Sequence, residues 1–296
     1  NEDRATFGIG LMLIAYLTFS FIDTSAKWLA IAGLPALQLA FMRYAAHFVI
    51  SLGLIAHGGI SRERFTSDRM PLVIFRGSLI MFSTIFNFIA VRYLPLTLTS
   101  TILFSAPLIV CALSWPMLGE QVGRWRWFAI LVGFSGIVIA IRPLDENFHW
   151  AVFLSMISAV SFALYSILTR KLAGQVSTNT MQFYSGAVGF TVLAPFALVQ
   201  WQNPDGLFDW VILLTLGFWG WGGHQLLTNA HRYAPANILS PFSYSFILYL
   251  TLWSFLLFDH LPDRWTIAGA LIIVAAGLFI WMRERRLADR REPDIL

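Results

Sequence analysis

The chain has 296 residues, of which 57% are hydrophobic and only 12% charged, and its mean hydropathy is +0.68. These values exclude a soluble domain, in which charged residues make up about a quarter of the chain. The formal charge of +4 does not indicate a nucleic-acid partner, because the basic residues are scattered between hydrophobic segments and form no continuous patch. The expected solvent of this chain is the lipid bilayer.

Apolar stretches of about 18 to 25 residues recur along the chain, and each is long enough to cross roughly 30 Å of hydrocarbon as a helix. They are too uniformly apolar for the alternating strands of a membrane barrel, so the predicted class is an all-α membrane protein. In chain order we predict ten transmembrane helices, at residues 7–30, 36–57, 70–92, 95–117, 125–142, 149–172, 178–201, 209–232, 236–258 and 264–282.

The basic residues in the connections predict the orientation of these helices. One side of the membrane collects 14 of the 20 Lys and Arg residues, from Arg4, 62–69, 124–126, 170–171, Arg232 and 283–291, whereas the other side collects four. Basic residues accumulate on the cytoplasmic side. We therefore expect a multi-pass protein of the bacterial inner membrane with both termini in the cytoplasm.

The two halves of the chain are similar to each other at an offset of 140 positions. The segment AVRYLPLTLTS, which begins at Ala90, aligns with AHRYAPANILS, which begins at Ala230. Five helices in each half is an odd number, so the second copy must cross the membrane in the opposite sense, an architecture that places the binding site between the repeats. We predict two inverted five-helix repeats around a central cavity, at 1–143 and 144–284, followed by a basic cytoplasmic tail at 285–296.

Polar residues spaced by three and four positions mark the helix faces that are turned away from lipid. Interhelical hydrogen bonds are the alternative explanation for any single one of them. Five predicted helices carry such a stripe. The first has Tyr16, Ser20, Asp23 and Lys27, the third has Arg76, Ser83 and Asn87, and the sixth has Ser158, Ser161, Tyr165 and Thr169. The eighth has Trp221, His224, Gln225 and Thr228, and the ninth has Asn237, Ser240, Pro241 and Tyr244.

Charged residues inside the predicted helices are few. Asp23 is followed by Lys27 four positions later, a spacing that predicts a charge pair along one helix. Arg43 and His47 have the same spacing, and either helix packing or transport would explain them. A proton-driven pump usually relays protons through several carboxylates inside the membrane. Because carboxylates are scarce in this interior, the sequence favours a facilitator. With one cysteine, Cys111, we expect no disulfide, no metal site and no cofactor.

The stretch 90–143 resembles one copy of the EamA domain of the drug/metabolite transporter superfamily. The features that match are Tyr93, Pro107, Gly119, Glu120, Gly133 and Gly136. The stretch 230–284 resembles the second copy through Pro235, FDHLP at 258–262, Gly269 and Gly277, but it has His260 in place of Glu120 and Phe246 or Ile247 in place of Pro107. Within the superfamily the chain is similar to amino-acid exporters of the YddG type.

This resemblance implies a secondary transporter that exports small metabolites, above all aromatic and other neutral amino acids, by alternating access. The helix-breaking Pro107 and Pro241 are the expected hinges. A site for an amino acid needs polar contacts for the carboxylate and ammonium groups and apolar or aromatic side chains around the side chain of the substrate. The expected substrate-binding residues are Phe82, Ser83, Asn87, Tyr165, Trp219, Trp221, His224, Gln225, Ser243 and Tyr244.

Two alternatives remain open beside amino-acid export. The first is export of another metabolite or a drug, with or without proton coupling. The second is an intramembrane serine protease, because GFSG at 133–136 resembles the nucleophile motif of such enzymes. A serine nucleophile needs a base within hydrogen-bond reach, and no companion histidine motif is recognisable, so we do not expect an enzyme. The sequence does not indicate an oligomeric state.

Overall fold

The computed structural model describes residues 2–57, 65–119, 123–146, 148–172, 175–234 and 239–289. Glu120, Pro235 and Asn237, as well as Arg62, Arg64, Arg290 and Arg291 of the orientation argument, lie outside these ranges. The described residues contain no strand. Their helices are α1 (Glu2–Ile31), α2 (Ala36–His57), α3 (Met70–Tyr93), α4 (Leu96–Leu103), α5 (Ala106–Leu118), α6 (Arg124–Ile141), α7 (Ala151–Leu172), α8 (Thr178–Val199), α9 (Leu207–Tyr233), a 3-10 helix (Ser240–Tyr244), α10 (Ser245–Phe258) and α11 (Arg264–Asp289).

The helices account for the ten predicted membrane crossings. Within the described ranges, nine segments are long and apolar enough to cross a bilayer, and α4 and α5 together form one of them. The remaining crossing is α9, a helix of 27 residues that is made less apolar by glycine, tryptophan and the polar residues around His224. The predicted all-helical membrane class is confirmed. At the C-terminus, α11 continues to Asp289 and so extends into the predicted basic tail.

The fourth and ninth crossings are interrupted at the same position of the repeat. Helix α4 ends before Phe104, and the 3-10 helix ends at Tyr244, which is 140 positions later. The rings of these two residues contact each other with centroids 5.3 Å apart. The two crossings also end alike, because Gly119 (φ +71°) and Asp259 (φ +50°) both take the left-handed conformation that closes α5 and α10.

The packing of the helices follows the predicted repeat. Helix α1 packs along α9, and its counterpart in the second half, α7, packs along α3, the counterpart of α9. Pairs of counterparts also meet: α2 packs on α8, and α6 packs on α11. Exchanging the halves thus leaves this pattern of neighbours unchanged, as two inverted copies require.

Glycines let α6 and α11 approach closely. A Cβ at Gly136 would lie 2.8 Å from the carbonyl oxygen of Gly269, so neither position has room for a side chain. This close contact of small residues is typical of helix packing in membranes. Ser135, the serine of the GFSG motif, donates its hydroxyl to the carbonyl of Val132 in its own helix. The glycines of the motif therefore serve helix packing.

Because the number of crossings is even, α1 begins and α11 ends on the same side of the bundle. We call this side the terminal face; α1, α3 and α8 begin there. The other side is the opposite face, where α1 and α3 end and where α2 and α9 begin. The outer surface of the bundle is apolar, with exposed large side chains such as Leu131, Val138, Leu214 and Leu271, as contact with lipid requires.

Candidate functional site

A polar cluster between α1, α2 and α3, which we call the Arg43 cluster, lies toward the opposite face. Arg43 donates a hydrogen bond from Nη1 to the hydroxyl oxygen of Thr84. The hydroxyl oxygen of Tyr44 lies 2.8 Å from this oxygen of Thr84. Asn87 donates a hydrogen bond of 3.0 Å to Oδ1 of Asp23, and the positive charge of Arg43 interacts with that carboxylate. The cluster thus joins one cation and one anion inside the membrane.

The helical repeat brings these residues together. Thr84 and Asn87 are three positions apart on α3 and therefore share a face. Arg43 is seven residues from the beginning of α2, or roughly 10 Å into the membrane. Gly220 of α9 lies beside the side chain of Arg43, because a Cβ at Gly220 would be in ordinary van der Waals contact with its Nε atom, at 3.5 Å.

Most of the hydrogen-bonding capacity of Arg43 is unused. A guanidinium carries five N–H donors, and Arg43 makes one hydrogen bond with the described residues, to Thr84. Its side chain is only partly buried. Asp23 is 8% exposed and accepts one hydrogen bond, from Asn87. A half-satisfied cation beside a half-satisfied anion matches the two charges of a zwitterion.

A second polar cluster, which we call the Arg76 cluster, lies toward the terminal face between α3, α7 and α8. Arg76 is 2% exposed. Its Nε donates to Thr169 at 2.6 Å, and Nη2 donates to the hydroxyl of Tyr165 at 2.7 Å. Nη1 donates to the hydroxyl of Ser185 at 3.0 Å and to the carbonyl of Met181 at 3.2 Å. All three nitrogens are therefore engaged with neutral partners, and the first half of the chain is joined to the second.

Two histidines lie between the clusters. His47 of α2 is 6% exposed, and its ring centroid is 6.3 Å from that of His224 in α9. Phe19 of α1 contacts the other ring of the pair, His224, at 5.1 Å. His47 is 11 residues from the beginning of α2 and His224 is 17 residues from the beginning of α9, so both lie deeper in the membrane than Arg43, which is seven residues from the beginning of α2.

The predicted substrate-binding residues are distributed over several of these groups. Asn87 belongs to the Arg43 cluster, Tyr165 belongs to the Arg76 cluster, and His224 belongs to the histidine pair. Ser83 forms a hydrogen bond between α3 and α7, because it donates to the carbonyl of Ser158 at 3.1 Å. The list of expected substrate-binding residues thus includes one member of each polar group in the interior, and the polar stripes and charged residues singled out in the sequence include others, such as Asp23 and Arg76.

The aromatic residues predicted as a wall lie in different surroundings. Trp219 contacts Phe21 at 5.1 Å. Phe82 is 45% exposed and stacks on Phe86 at 6.2 Å, away from the buried clusters. Trp221 has a buried Nε1 atom that lacks a hydrogen-bond partner within the described part of the chain.

The remaining predicted residues lie near the interruption of the ninth crossing. Ser243 forms a side-chain hydrogen bond with Tyr16 of α1. Tyr244 contacts Phe104, and its hydroxyl fills the space that a side chain at Gly277 would need. Gln225 is partly buried on α9. These contacts join α1 and α11 to the centre of the bundle.

The predicted charge pair of Asp23 and Lys27 is corrected by the structure. Lys27 donates its Nζ hydrogens to the carbonyls of Val91 at 3.0 Å and Leu94 at 2.7 Å, whereas Asp23 faces Arg43 and Asn87. The last carbonyls of a helix have no partner within the helix and attract a cation. Lys27 therefore binds the carbonyl groups at the end of α3 and forms no pair with Asp23.

Both prolines predicted as hinges stand at the beginning of a helix. Pro107 lies in the first turn of α5, and Pro241 lies in the first turn of the 3-10 helix. A proline is tolerated there because its missing N–H would have no partner in the helix. In the fourth crossing the interruption itself falls at Phe104 and Ser105, just before Pro107.

Tyr44 and Thr84 were not predicted as members of the site. Neither lies on a stripe that the sequence singled out, and a hydroxyl in an apolar helix is a weak signal. The stronger signal was Arg43 itself, because a charged residue inside a membrane helix marks a functional site by default.

The candidate site is closed in this structure. Asp23, His47 and Asn87 are 6–8% exposed, so no wide opening reaches them. Two clefts lie along α1, one of about 440 Å³ beside Phe7 and one of about 280 Å³ beside Trp28, and neither includes a predicted substrate-binding residue. The described residues contain no group of three or more His, Cys, Asp or Glu side chains suited to a metal ion.

The fold and the buried polar clusters define a polytopic membrane protein with polar groups enclosed between two inverted halves, which is the architecture of secondary transporters. The EamA-like transporter family matches residues 6–142 and 149–282, and the chain belongs to this family. The predicted membership of the EamA family is thereby confirmed. The chain is a transporter and not an enzyme.

Several transporters are similar to this chain along nearly its whole length. An S-adenosylmethionine uptake transporter of Rickettsia felis is 28% identical over 98% of this chain and 98% of its own. The pseudopaline exporter CntI of Pseudomonas aeruginosa is 29% identical over 93% of this chain and 95% of its own. A riboflavin transporter of Vibrio cholerae is 29% identical over 96% of this chain and 95% of its own.

A solved crystal structure shares the fold. It aligns with a TM-score of 0.65 and 18% sequence identity, and the alignment covers 96% of this chain and 99% of that chain. The relatives are named for different substrates and for both directions of transport. The family therefore establishes a small-molecule transporter, and amino-acid export is a narrower statement.

Proposed function

We propose that this protein carries small metabolites with an α-amino-acid group across the bacterial inner membrane, with aromatic and other neutral amino acids as its main export substrates. The observation that carries the proposal is the Arg43 cluster. The unused N–H groups of Arg43 suit the carboxylate of the substrate, and the carboxylate of Asp23 suits its ammonium group. Within this site Asn87 holds Asp23 in place.

The names of two groups of relatives support different substrates. S-adenosylmethionine contains the amino-acid group of methionine, so its uptake transporters are in keeping with a site for a zwitterion. Riboflavin has no such group, and the similarity to riboflavin transporters favours a carrier of another metabolite as the second candidate. A drug is a further alternative substrate of the same site.

Transport would proceed by alternating access of the two halves. At the terminal face, the Arg76 cluster ties α3 to α7 and α8. At the opposite face, Trp28 of α1 donates to Asp209 of α9 at 2.9 Å, and Gln38 of α2 donates to the carbonyl of Gln202 at 2.7 Å. We propose that these two sets of contacts open in turn. With the termini in the cytoplasm, the Arg76 cluster would form the cytoplasmic barrier.

The protein would work as a facilitator. In the described interior of the bundle the acidic side chain is Asp23, and it already faces Arg43. A pump that moves protons would need a carboxylate free to exchange them. A facilitator follows the gradient of its substrate, so the same protein can serve uptake or export. Pro107 and Pro241 remain the proposed hinges.

The remaining predicted residues would line the path of the side chain. His224, Tyr244 and Trp221 lie on elements that surround the centre of the bundle, and we propose them as contacts of the substrate in the open states. Ser83, Tyr165, Trp219, Gln225 and Ser243 complete the proposed set, whereas Phe82 is left out of it because its side chain is 45% exposed and lies away from the buried clusters.

Flux into proteoliposomes tests the proposal. The purified protein is reconstituted, and the uptake of radiolabelled phenylalanine, S-adenosylmethionine and riboflavin is measured with and without a pH gradient. We expect saturable phenylalanine flux that is independent of the gradient. Saturable flux of riboflavin alone would support the second candidate, and flux that follows the pH gradient would contradict the facilitator.

The variant Arg43→Gln tests the role of the cluster. Loss of a charge-assisted hydrogen bond to the substrate carboxylate should lower kcat/KM for phenylalanine about 30-fold, which corresponds to roughly 2 kcal/mol. Arg92→Gln is the matched control, because Arg92 is exposed at the end of α3. Equal flux in both variants would rule out Arg43 as the carboxylate ligand.

A further inference from the structure

His47 has a buried nitrogen without a hydrogen-bond partner among the described residues: its Nε2 atom is inaccessible and unpaired there. The main chain of Gln182 in α8 acts on the ring as a hydrogen-bond acceptor. A neutral imidazole carries one proton, and with that proton on Nδ1 the Nε2 atom presents a lone pair. In this tautomer His47 offers a hydrogen-bond acceptor to a ligand.

An unpaired acceptor in the interior has a cost. Burial of such a group without a partner costs about 1–3 kcal/mol, and buried polar groups in proteins are satisfied with few exceptions. The ring packs closely on α8, because a Cβ at Gly186 would lie 3.2 Å from its Cδ2 atom. A ligand that supplies the missing partner would remove the cost of the unpaired nitrogen.

His47 lies on the same face of α2 as Arg43 of the proposed site. It follows Arg43 by four residues on α2, so the two side chains share a face and lie about one helical turn apart. The direction from Arg43 to His47 leads from the opposite face toward the middle of the membrane. There the rings of His224 and Phe19 lie beside His47.

We propose that Nε2 of His47 accepts a hydrogen bond from a donor on the side chain of the substrate. The inference rests on the proposed function, since it requires that Arg43 and Asp23 hold the amino-acid group. The substrate class is then narrower: aromatic amino acids whose ring carries an O–H or N–H donor. His47 determines the specificity for that donor, and the neighbouring rings of His224 and Phe19 contact the aromatic face.

A matched pair of substrates tests this inference. Tyrosine and phenylalanine differ by one hydroxyl, so the ratio of their kcat/KM values in proteoliposomes isolates the hydrogen bond. We expect a ratio of about 10 in favour of tyrosine for the wild-type protein. The ratio should fall to about 1 in His47→Leu, and His47→Asn, which keeps an acceptor, should retain part of it. His57→Leu is the matched control, because His57 is exposed at the end of the same helix.

The possible outcomes separate the two proposals. If both amino acids are transported with the same ratio in wild type and His47→Leu, the role of His47 is overturned while the proposed function stands. If the wild-type protein transports neither amino acid, the proposed function fails and the inference fails with it. Gel filtration in detergent shows whether His47→Leu folds. If it does not, the ratio of kcat/KM for tyrosine to kcat/KM for phenylalanine in the wild-type protein tests the inference, and a ratio near 1 overturns it.

Discussion

The two arginines inside the membrane differ in how many of their N–H donors are used. Arg76 is 2% exposed and donates four hydrogen bonds from its three nitrogens, and its guanidinium lies 4.3 Å from the ring centroid of Tyr165. Arg43 is partly buried and donates one hydrogen bond to the described residues, and its guanidinium lies 5.5 Å from the ring centroid of Tyr44 and 6.0 Å from that of Phe88. A cation whose donors are all used holds helices together, whereas a cation with unused donors is available to a ligand.

The inverted repeat makes this difference more informative. At the offset of 140 positions, Ala163 and Phe183 stand where the first half has Asp23 and Arg43, so these two charges have no charged counterpart in the second half. The second half contributes hydroxyls, and those of Tyr165 and Ser185 accept hydrogen bonds from Arg76 of the first half. The charges of both polar clusters thus come from the first half of the chain. The repeat is symmetric in its helices and asymmetric in its charges.

Replacement of Arg76 by lysine should give the largest effect on stability, and the same replacement of Arg43 should give a smaller one. Lysine keeps the charge but cannot form the planar fork of bonds. Arg76→Lys leaves a buried charge with fewer partners and should lower the free energy of unfolding by about 2 kcal/mol. Arg43→Lys loses a single bond and should change it by less than about 1 kcal/mol. Unfolding in mixed detergent micelles measures both, and equal losses would remove the distinction between the clusters.

Asp23→Asn separates binding from stability within the Arg43 cluster. The amide keeps the size of the side chain but removes the negative charge, so it should weaken the contact with the ammonium group of the substrate. We expect kcat/KM for phenylalanine to fall about tenfold, or roughly 1.4 kcal/mol. The thermal stability of the variant in detergent serves as its control. Unchanged transport would exclude Asp23 as a ligand of the substrate.

The smallest effect on stability is expected from a substitution in an exposed ion pair between the two halves. Arg142, after α6, forms an ion pair with Asp263, whose Oδ1 accepts from the amide of Thr266 at 2.7 Å at the start of α11. Partial burial raises the pKa of Asp263, but the hydrogen bonds from Thr266 and the charge of Arg142 outweigh it and leave the pKa below its usual 3.8. The side chain of Asp263 is 43% exposed, so solvent screens the pair.

A lowered pKa in the folded state means that Asp263 stabilises the fold above pH 3.8, and this contribution disappears as the pH falls through the folded-state pKa. Asp263→Asn should therefore lower stability by less than about 1 kcal/mol at neutral pH, and the difference from wild type should vanish in acid. Melting curves at pH 7 and at pH 3 compare the two proteins. A loss as large as that of Arg76→Lys would show that the outer contact matters more than its exposure suggests.

Much of the fold could be predicted because it depends on patterns along the chain. The lengths of the apolar stretches predicted the ten crossings, and the repeat at 140 positions predicted which helices correspond. One detail was predicted only approximately: Pro107 predicted a break in the fourth crossing, and the break falls just before it, at Phe104 and Ser105. The interruption places Phe104 against Tyr244, and that contact exists only between the two halves.

The candidate site was predicted less completely. The spacing of Asp23 and Lys27 predicted that these two residues pair with each other. In the structure Asp23 interacts with Asn87 of α3 and with the charge of Arg43 of α2, and Lys27 binds carbonyl groups at the end of α3. A spacing within one helix shows which residues share a face and does not show which helix that face meets. The same limit applies to Tyr44 and Thr84, which became part of the site through Arg43.

By itself, the sequence determined that this protein crosses the membrane ten times, that its halves are inverted copies and that few charges lie inside, because length, periodicity and charge depend only on the order of residues. Tertiary structure decided which charges meet. Arg43 and Arg76 are equally basic in the sequence, but only Arg76 lies among three hydroxyls and a carbonyl. The number of partners around a buried charge depends on the packing of several helices, and this number distinguishes a structural arginine from one that can bind a substrate.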